Sequence, residues 1–228
     1  MSYVRKENEL RAKRNIMRKE DEKPGAVELP KLIMATNNSF KLGEVRQMVG
    51  DRYSVMGLAD IGCHEDIPET ASTLAGNALQ KARYVYEHYG MDCFADDTGL
   101  EIEFLGGEPG VYTARYGAMN GYGESHDTDA NIRCIMDKLR FAPHRRACFR
   151  TVIALVMDGK EHLFEGVVHG EILRERCGTE GFGYDPVFAP EGRGLAFAEM
   201  PLAEKNRISH RGRAVRLLVE YLRDIAQQ

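Results

Sequence analysis

The chain has 228 residues, of which 43% are hydrophobic, and its 31 Lys and Arg residues against 35 Asp and Glu residues give a formal net charge of -4. This apolar fraction is typical of a globular domain and excludes wholesale disorder, while the mildly acidic balance disfavours sequence-independent binding to nucleic acid. The longest uninterrupted apolar run, Val152 to Met157, is far shorter than the roughly 18–20 residues that span a bilayer. We therefore expect no membrane association and no stable nucleic-acid partner.

Cysteine usage indicates a reducing compartment. Five cysteines are present, an odd count, and no two of them form a C-x-x-C pair. The N-terminal residues also lack the apolar core of a secretory signal. The pattern favours free thiols in a cytoplasmic protein over a disulfide framework or a zinc site.

Residues 1–29 differ in composition from the rest of the chain. Basic and acidic residues are mixed there, and little apolar surface is present up to the Pro24-Gly25 breaker. This composition is typical of a solvated arm or a frayed helix, with binding to a partner as the alternative. We predict a charged extension over residues 1–29 and one folded domain over residues 30–228.

The first predicted strand begins at Lys31, in a short apolar run that the polar turn Thr36 to Ser39 follows. Apolar residues then recur at helical spacing, at Leu42, Val45, Met48 and Val49. A second helix is predicted from Leu74 to Tyr89, with Gly90 just past its end. The chain thus begins as strand, turn and helix.

The second half of the chain mixes strands and helices. A buried strand is predicted at Cys93 to Ala95, the Gly/Pro-rich segment 105–117 is expected to be irregular, and Asp127 or Thr128 suits a helix cap. Asp158-Gly159 is the strongest hairpin signal, with a long strand predicted on either side. The last helix carries apolar residues on one face, at Val215, Leu218, Leu222 and Ile225. These elements predict an α/β fold with a mixed sheet flanked by helices.

Residues 36–41, TNNSFK, join the first strand to a helix N-terminus. Unpaired N–H groups and the positive end of the helix dipole favour an anion there. Lys41 would add a point charge for a phosphate chain. The glycines of a Walker A loop are absent, and helix capping by Asn38 or Ser39 is the structural alternative.

Residues 95–99, ADDTG, place two carboxylates at a predicted strand end. Because successive strand side chains point to opposite faces, one Asp is expected in a cleft and the other against a structural partner. Such a pair suits a hydrogen-bonded turn. It also suits Mg²⁺, which takes one or two protein carboxylates and leaves its other positions to water and phosphate oxygens. Glu69, in PETAST, is a candidate for a further acid.

Two later motifs complete a possible nucleotide site. Residues 181–188, GFGYDPVF, predict a tight loop in which Phe182 or Tyr184 either packs in the core or stacks on a nucleobase. Residues 205–216, KNRISHRGRAVR, contain no acid and predict either a solvated helix start or an anion site. Each motif alone favours a structural role. Together the four segments supply the anion-binding turn, metal carboxylates, aromatic slot and basic clamp of a Mg-nucleotide site.

These segments, in this order, resemble the inosine triphosphate pyrophosphatase family, also called non-standard purine NTP pyrophosphatases. The resemblance runs from about Lys31 to about Asp224 and includes ATNNSFKLGEV, ETAST with NALQKA, FADDTGLEI, GGEPGVYTARY, GFGYDPVF and EKNRISHRGRA. It implies an elongated two-lobed α/β fold with a central mixed sheet, an active site in the cleft between the lobes, and a homodimer. It also implies Mg²⁺-dependent hydrolysis of ITP, dITP and XTP to the monophosphate and pyrophosphate, which removes them from the nucleotide pool.

The same resemblance implies roles for individual residues. Asp97 would be the proton acceptor and a metal ligand, Glu69 a second metal ligand, and Lys41 a catalytic charge. The substrate would be held by Thr36, Asn37, Asn38, Ser39, Phe40, Lys41, Thr98, Phe182, Gly183, Tyr184, Asp185, Lys205, His210 and Arg211.

The chain departs from the family pattern in the segment ETASTLAGNA. Ala71 stands in place of a glycine, Leu74 in place of a phenylalanine, and Gly76 in place of an acid. The loss of that acid leaves a catalytically silent nucleotide-binding regulator as one alternative function. The other is a pyrophosphatase for modified pyrimidine triphosphates, which needs similar metal and phosphate groups but a different base slot.

Overall fold

The computed structural model describes residues 29–227. The strands are β1 (Lys31–Met34), β2 (Ser54–Met56), β3 (Cys93–Ile102), β4 (Pro109–Gly110), β5 (Arg146–Met157), β6 (Lys160–Ile172) and β7 (Phe188–Pro190). The α-helices are α1 (Ser39–Val49), α2 (Leu74–Tyr89), α3 (Tyr116–Met119), α4 (Thr128–Lys138), α5 (Leu202–Ile208) and α6 (His210–Ala226). The extension predicted over residues 1–29 lies, except for its last residue, outside the described residues. None of the helices within residues 29–227 combines the length and the apolar character that crossing a membrane requires.

One sheet organises this part of the chain, in the order β2-β1-β3-β5-β6-β7, with β4 against β3. β1 pairs in parallel with β2 and with β3, whereas β3, β5, β6 and β7 pair antiparallel in turn. Parallel neighbours need a crossover connection, while antiparallel neighbours need only a short turn. The prediction of an α/β fold with a mixed sheet is confirmed.

The hairpin between β5 and β6 forms where the sequence predicts it. Asp158 and Gly159 are the two turn residues, and both have positive φ, 49° and 75°. Positive φ at both central positions defines the turn that matches the twist of antiparallel strands, and Asp-Gly suits it because glycine adopts this conformation without strain. The turn sets the register of the two longest strands of the sheet.

β3 is longer than predicted. The sequence predicted a strand end around Asp96 and Asp97, but β3 continues to Ile102, and this prediction is wrong. Pairing with β5 runs unbroken from Cys93 opposite Val156 to Ile102 opposite Ala147 and keeps the backbone extended. Buried carboxylates disfavour a strand unless cations compensate them, and the partners that do so come from distant segments.

Helices cover both faces of the sheet. On one face α1 and α6 pack over β1, β3 and β5, and on the other α2 packs against the same strands. Phe94 contributes to the first apolar cluster and Ala95 to the second, as strand alternation requires. Asp96 therefore points toward α1 and α6, and Asp97 points toward α2.

A third apolar cluster lies at the far end of β3. Leu100 and Ile102 pack there with α4 and with residues of β5 and β7, including Phe149 and Phe188. The polar segment Asp96 to Thr98 thus lies along β3 between two regions of apolar packing. The apolar packing on either side of this segment fixes the positions of Asp96 and Asp97.

Gly166 of β6 lies against the start of α6. A Cβ at position 166 would come within 2.0 Å of the His210 carbonyl oxygen and 2.6 Å of the Ala214 nitrogen. We expect Gly166→Ala to lower the free energy of unfolding by about 1–3 kcal/mol, the usual range for overpacking, as measured by urea titration. An unchanged unfolding midpoint would contradict this close approach.

Gly43→Ala is the matched control. Gly43 is an exposed residue of α1, and nothing lies within 4 Å of its Cβ position. Because glycine in a helix interior is less favourable than alanine by roughly 0.5–1 kcal/mol, this second variant should be more stable than the wild type.

Candidate active site

The turn between β1 and α1 is held by its own side chains. Asn38 caps α1, because its Oδ1 accepts hydrogen bonds from the backbone N–H groups of Phe40 at 3.0 Å and Lys41 at 3.1 Å. Thr36 Oγ1 accepts from the Asn38 N–H at 3.1 Å. The predicted capping is confirmed for Asn38. It fixes the first turn of α1, from which the side chain of Lys41 reaches β3.

Asp96 binds two cations on the α1 and α6 side of the sheet. It is 1% exposed, and its carboxylate accepts from Lys41 Nζ and from Arg211 Nε, each at 3.1 Å. Burial by itself would raise the pKa of Asp96, but the charges of Lys41 and Arg211 outweigh burial and hold the pKa well below its usual value. Asp96 is therefore an ionised anchor for these two side chains.

Asp97 faces α2 on the other side of β3. Its Oδ2 accepts a hydrogen bond from Asn77 Nδ2 at 3.1 Å, and its Oδ1 lies 3.7 Å from Lys81 Nζ. The same ammonium group of Lys81 donates to Glu69 Oε1. The two acids predicted as metal ligands therefore converge on one cation. Lys81 and Asn77, which hold them, were not singled out by the sequence analysis.

The environment of the two acids differs. Burial raises the pKa of Asp97 although Lys81 opposes it. For Glu69, burial also acts to raise the pKa, but the charge and the hydrogen bond of Lys81, together with the charges of Lys41 and Arg115, lower it. Hard carboxylate oxygens are the protein ligands that Mg²⁺ prefers, and one or two suffice. Among residues 29–227, no cluster of three or more His, Cys, Asp and Glu residues is arranged to hold a metal. The donors present at Asp97 and Glu69 fit Mg²⁺ rather than a metal that needs a full protein cage.

Glu44 of α1 lies at the centre of a buried charge network. One of its carboxylate oxygens accepts from Lys205 Nζ at 2.7 Å and the other accepts from Arg211 Nη1. Lys205 Nζ also donates to Asp185 Oδ2 at 2.7 Å. The sequence analysis missed Glu44. The available signal was its position three residues after Lys41, because residues so spaced share one face of a helix.

The basic segment 205–216 divides between two helices and two environments. α5 ends before Ser209, which caps α6 by accepting from the Gly212 N–H at 3.1 Å. Lys205 and Arg211 are buried, while the other basic residues of the segment are exposed, at Arg207, Arg213 and Arg216. The predicted clamp thus consists of two side chains, each paired with acids from other parts of the chain.

Phe182 is the aromatic residue that reaches the site. Its ring stacks on that of Phe40 with centroids 5.4 Å apart, and Lys205 Nζ lies 5.1 Å from its centroid. Phe40 is 60% exposed, so the pair is open to a ligand. Tyr184, the other predicted stacking residue, is buried in the core and donates its hydroxyl hydrogen to the Thr113 carbonyl oxygen at 3.0 Å.

The remaining residues that were predicted to bind substrate lie in the loop around Phe182 and in the turn before α1. Gly183 has φ 62° and belongs to the loop that Asp185 closes by accepting from the Phe182 N–H at 2.8 Å. Asn37 precedes the helix cap, and Ser39 is the first residue of α1. Burial raises the pKa of Asp185 while Lys205 opposes it. Lys205 of α5 brings the loop and α1 together, because it pairs with both Asp185 and Glu44.

His210 and Thr98 are joined through a residue that the sequence analysis did not single out, Thr151 of β5. The hydroxyl oxygens of Thr98 and Thr151 are 2.7 Å apart, and Thr151 Oγ1 lies 2.6 Å from Nδ1 of His210. Burial, together with the charges of Arg211 and Lys205, holds the pKa of His210 well below its usual value. His210 is therefore neutral at physiological pH.

Gly76 and Ala71 occupy adjoining space at the start of α2. A Cβ at position 76 would lie 2.6 Å from the Ala71 Cβ and 3.0 Å from Thr73 Oγ1. The methyl group of Ala71 thus stands where a side chain at position 76 would begin, so the two departures from the family pattern compensate each other.

We expect Gly76→Ala to lower the free energy of unfolding by about 1–3 kcal/mol, and the added change Ala71→Gly to recover most of that loss. A double-mutant cycle measured by urea titration tests the coupling. Equal costs of Gly76→Ala in the two backgrounds would show that the positions are independent.

Known proteins similar to this chain were found both by sequence and by structure. A family model described as the Ham1 family matches residues 32–221. A dITP/XTP pyrophosphatase from Porphyromonas gingivalis is 54% identical over 195 residues, which cover 85% of this chain and 98% of that protein.

Two solved structures share the fold. A HAM1 protein from Coxiella burnetii has a TM-score of 0.77 at 34% identity, covering 86% of this chain and 100% of that one. A nucleoside-triphosphatase / dITP/XTP pyrophosphatase from Mycobacterium abscessus has a TM-score of 0.66 at 37% identity, covering 82% and 98%. The resemblance carried by the sequence motifs is confirmed, and the chain belongs to the Ham1 family.

Proposed function

We propose that the protein hydrolyses the non-standard purine triphosphates ITP, dITP and XTP to the monophosphate and pyrophosphate, with Mg²⁺ as cofactor. The reaction and substrate class are those named for its relative at 54% identity. The observation that carries the proposal to this chain is the arrangement around β3. Asp97 and Glu69 meet at Lys81, whereas Lys205 and Arg211 lie toward α1 and α6, and the charge of Lys41 acts to lower the pKa of both Asp97 and Glu69. Carboxylates for a divalent cation and cations for phosphate are what this reaction needs.

The triphosphate is assigned to the turn of residues 36–41. It lies at the N-terminus of α1, where the helix dipole favours negative charge. Asn38 already accepts from the Phe40 and Lys41 N–H groups. The donors left to the phosphates therefore include the side chains of Asn37, Ser39 and Lys41, although Lys41 Nζ also donates to Asp96. Lys41 and Lys205 then stabilise the charge that develops on the departing pyrophosphate.

Asp97 accepts the proton of the water that attacks the α-phosphorus. Its pKa, raised by burial, makes it a stronger proton acceptor than an exposed carboxylate. Asp97 and Glu69 are also the residues that would hold the Mg²⁺ ion, which when bound neutralises phosphate charge and favours attack by water. Lys81, in contact with both acids, keeps them facing one another.

The base is assigned to Phe182, Arg211 and His210, and the family resemblance implies that it binds in a cleft between two lobes. Phe182 offers a stacking face. Hypoxanthine and xanthine have an acceptor oxygen at C6, whereas adenine has an amino donor there. A site that donates at this position leaves the adenine amino group unpaired, and unpaired buried polar groups can give up to about 10⁴-fold discrimination.

Phosphorus NMR of the purified protein with Mg²⁺ tests the reaction, the bond and the base together. With ITP, XTP, GTP, ATP and dTTP in separate samples, we expect IMP and pyrophosphate from ITP and little product from GTP or ATP. Orthophosphate as the first product would contradict attack at the α-phosphorus. Turnover restricted to pyrimidine triphosphates would favour the pyrimidine alternative. Binding of ITP without turnover would identify a silent regulator and direct attention to Gly76.

The assembly and the location are further parts of the proposal. A homodimer is supported by the family resemblance, and sedimentation analysis tests it. A cytoplasmic location is supported by the five cysteines, all of which are free thiols.

A further inference from the structure

A chain of hydrogen bonds connects Arg211 to His210. Arg211 Nη2 donates to Thr98 Oγ1 at 3.3 Å, Thr98 Oγ1 lies 2.7 Å from Thr151 Oγ1, and Thr151 Oγ1 lies 2.6 Å from His210 Nδ1. Thr151 is fully buried. The ring of Phe149 stacks on the imidazole of His210 with centroids 4.8 Å apart. Both the position of the His210 ring and its hydrogen bond are therefore fixed by buried groups.

The direction of this chain of hydrogen bonds depends on the hydroxyl hydrogen of Thr98. A guanidinium group only donates hydrogen bonds, so Thr98 Oγ1 accepts from it, and the Thr98 hydroxyl hydrogen needs another acceptor. The 2.7 Å contact between the two hydroxyl groups is satisfied in either direction, but the directions differ in the Thr98 hydrogen. If Thr98 donates to Thr151, this hydrogen lies in a short bond, whereas if Thr151 donates to Thr98, it is left with Asp96 Oδ2 at 3.4 Å, longer than the usual range of about 2.5–3.0 Å. In the direction with the shorter bonds, the Thr98 hydrogen goes to Thr151, and Thr151 donates its own hydrogen to His210 Nδ1.

Accepting at Nδ1 determines where His210 carries its proton. A neutral imidazole has one N–H, so with Nδ1 as acceptor the hydrogen is on Nε2. Within residues 29–227, Nε2 has no hydrogen-bond partner, and the fully enclosed side-chain atoms without a partner in this range are His144 Nδ1 and Asn206 Oδ1. His210 is 4% exposed, and within the described residues its Nε2 is left without a partner to bond.

We propose that Thr151 is a positioning residue for base selection: its hydroxyl holds His210 as the Nε2–H tautomer, so that His210 offers the substrate a donor. The proposal rests on the proposed function, in which His210 contacts the purine. An Nε2–H donor pairs with the 6-oxygen of hypoxanthine or xanthine. The opposite tautomer would instead offer an acceptor to the 6-amino group of adenine.

Two variants separate the hydroxyl of Thr151 from its shape. Thr151→Val keeps the branched side chain that suits β5 and removes both hydrogen bonds, whereas Thr151→Ser keeps the hydroxyl. We expect Thr151→Val to lower the ratio of kcat/KM for ITP to that for ATP by at least about ten-fold, mainly through a higher KM for ITP. Thr151→Ser should retain the wild-type ratio.

Nitrogen NMR of histidine-labelled protein measures the tautomer directly, with the His210 signal identified by its loss in His210→Gln. We expect a protonated Nε2 and an unprotonated Nδ1 in the wild type, and a loss of this preference in Thr151→Val. A purely structural role for Thr151 would not change the tautomer.

Two results would overturn the proposal: a wild-type His210 protonated on Nδ1, or a folded Thr151→Val protein with the wild-type ratio of ITP to ATP hydrolysis. The spectrum of the wild-type protein shows which nitrogen of His210 is protonated, and thus the direction of the hydrogen bonds, even if Thr151→Val does not fold. If the wild-type protein hydrolyses no triphosphate, the proposed function fails, and that outcome is distinct from a wrong tautomer.

Discussion

Asp97→Asn is expected to lower kcat for ITP by at least about 10²-fold, because it removes the carboxylate that we propose accepts a proton from the attacking water. The fold should remain intact. The amide oxygen of Asn can still accept from Asn77 Nδ2, and Lys81 keeps its contact with Glu69. Steady-state release of pyrophosphate, with circular dichroism as the check on folding, measures the two effects separately.

Asp96→Asn is the contrasting variant. The two acids are adjacent in β3, but Asp96 anchors Lys41 and Arg211 and does not face Glu69. Asp96→Asn should therefore lower the melting temperature, whereas Asp97→Asn should leave it near the wild-type value. Near wild-type turnover of Asp97→Asn would remove Asp97 from the role of proton acceptor.

Glu44→Gln is expected to lower the free energy of unfolding by about 3–5 kcal/mol. Glu44 is the carboxylate shared by Lys205 and Arg211, and all three side chains are buried. Lys205 keeps Asp185, and Arg211 keeps Asp96, but the buried network is left with one positive charge that no acid balances. Such an uncompensated buried charge is far more costly than the ion pair itself is stabilising. Denaturation in urea, monitored by circular dichroism, gives the difference.

Glu103→Gln provides the matched control for an exposed pair. Glu103 accepts from Arg146 Nε at 2.7 Å, but both side chains are more than half exposed, at 55% and 66%. Such pairs contribute roughly 0–1 kcal/mol. A similar decrease in the free energy of unfolding in both variants would contradict the importance of Glu44 as the carboxylate that Lys205 and Arg211 share.

Local signals in the sequence were enough to predict most helices and strands. Asn38 caps α1, Asp127 caps α4, and Gly90 ends α2 in the left-handed conformation. In each case the deciding hydrogen bond or φ angle involves residues within a few positions. The Asp158-Gly159 turn likewise needs only its own two residues to fix the hairpin.

The sequence predicted most of the residue types that the structure brings together around β3, but it did not predict which of these residues contact one another. Strand alternation alone implied that Asp96 and Asp97 face opposite sides of β3, and the structure agrees. Which of them faces the acid Glu69 depends on where α2 packs. The motifs also supplied Lys205 and Arg211 but not the acid between them, since Glu44 and Arg211 are 167 positions apart.

The sequence by itself thus determined most of the helices and strands, the mixed sheet and the residue types that we propose for a nucleotide site, because these depend on short-range patterns. The tertiary structure decided the partners: Lys81 between Glu69 and Asp97, Glu44 between two cations, and Thr151 between Thr98 and His210. The physical reason is that a buried charge or hydroxyl must find a partner within about 3 Å. That partner is chosen by the packing of distant segments, which no local pattern records.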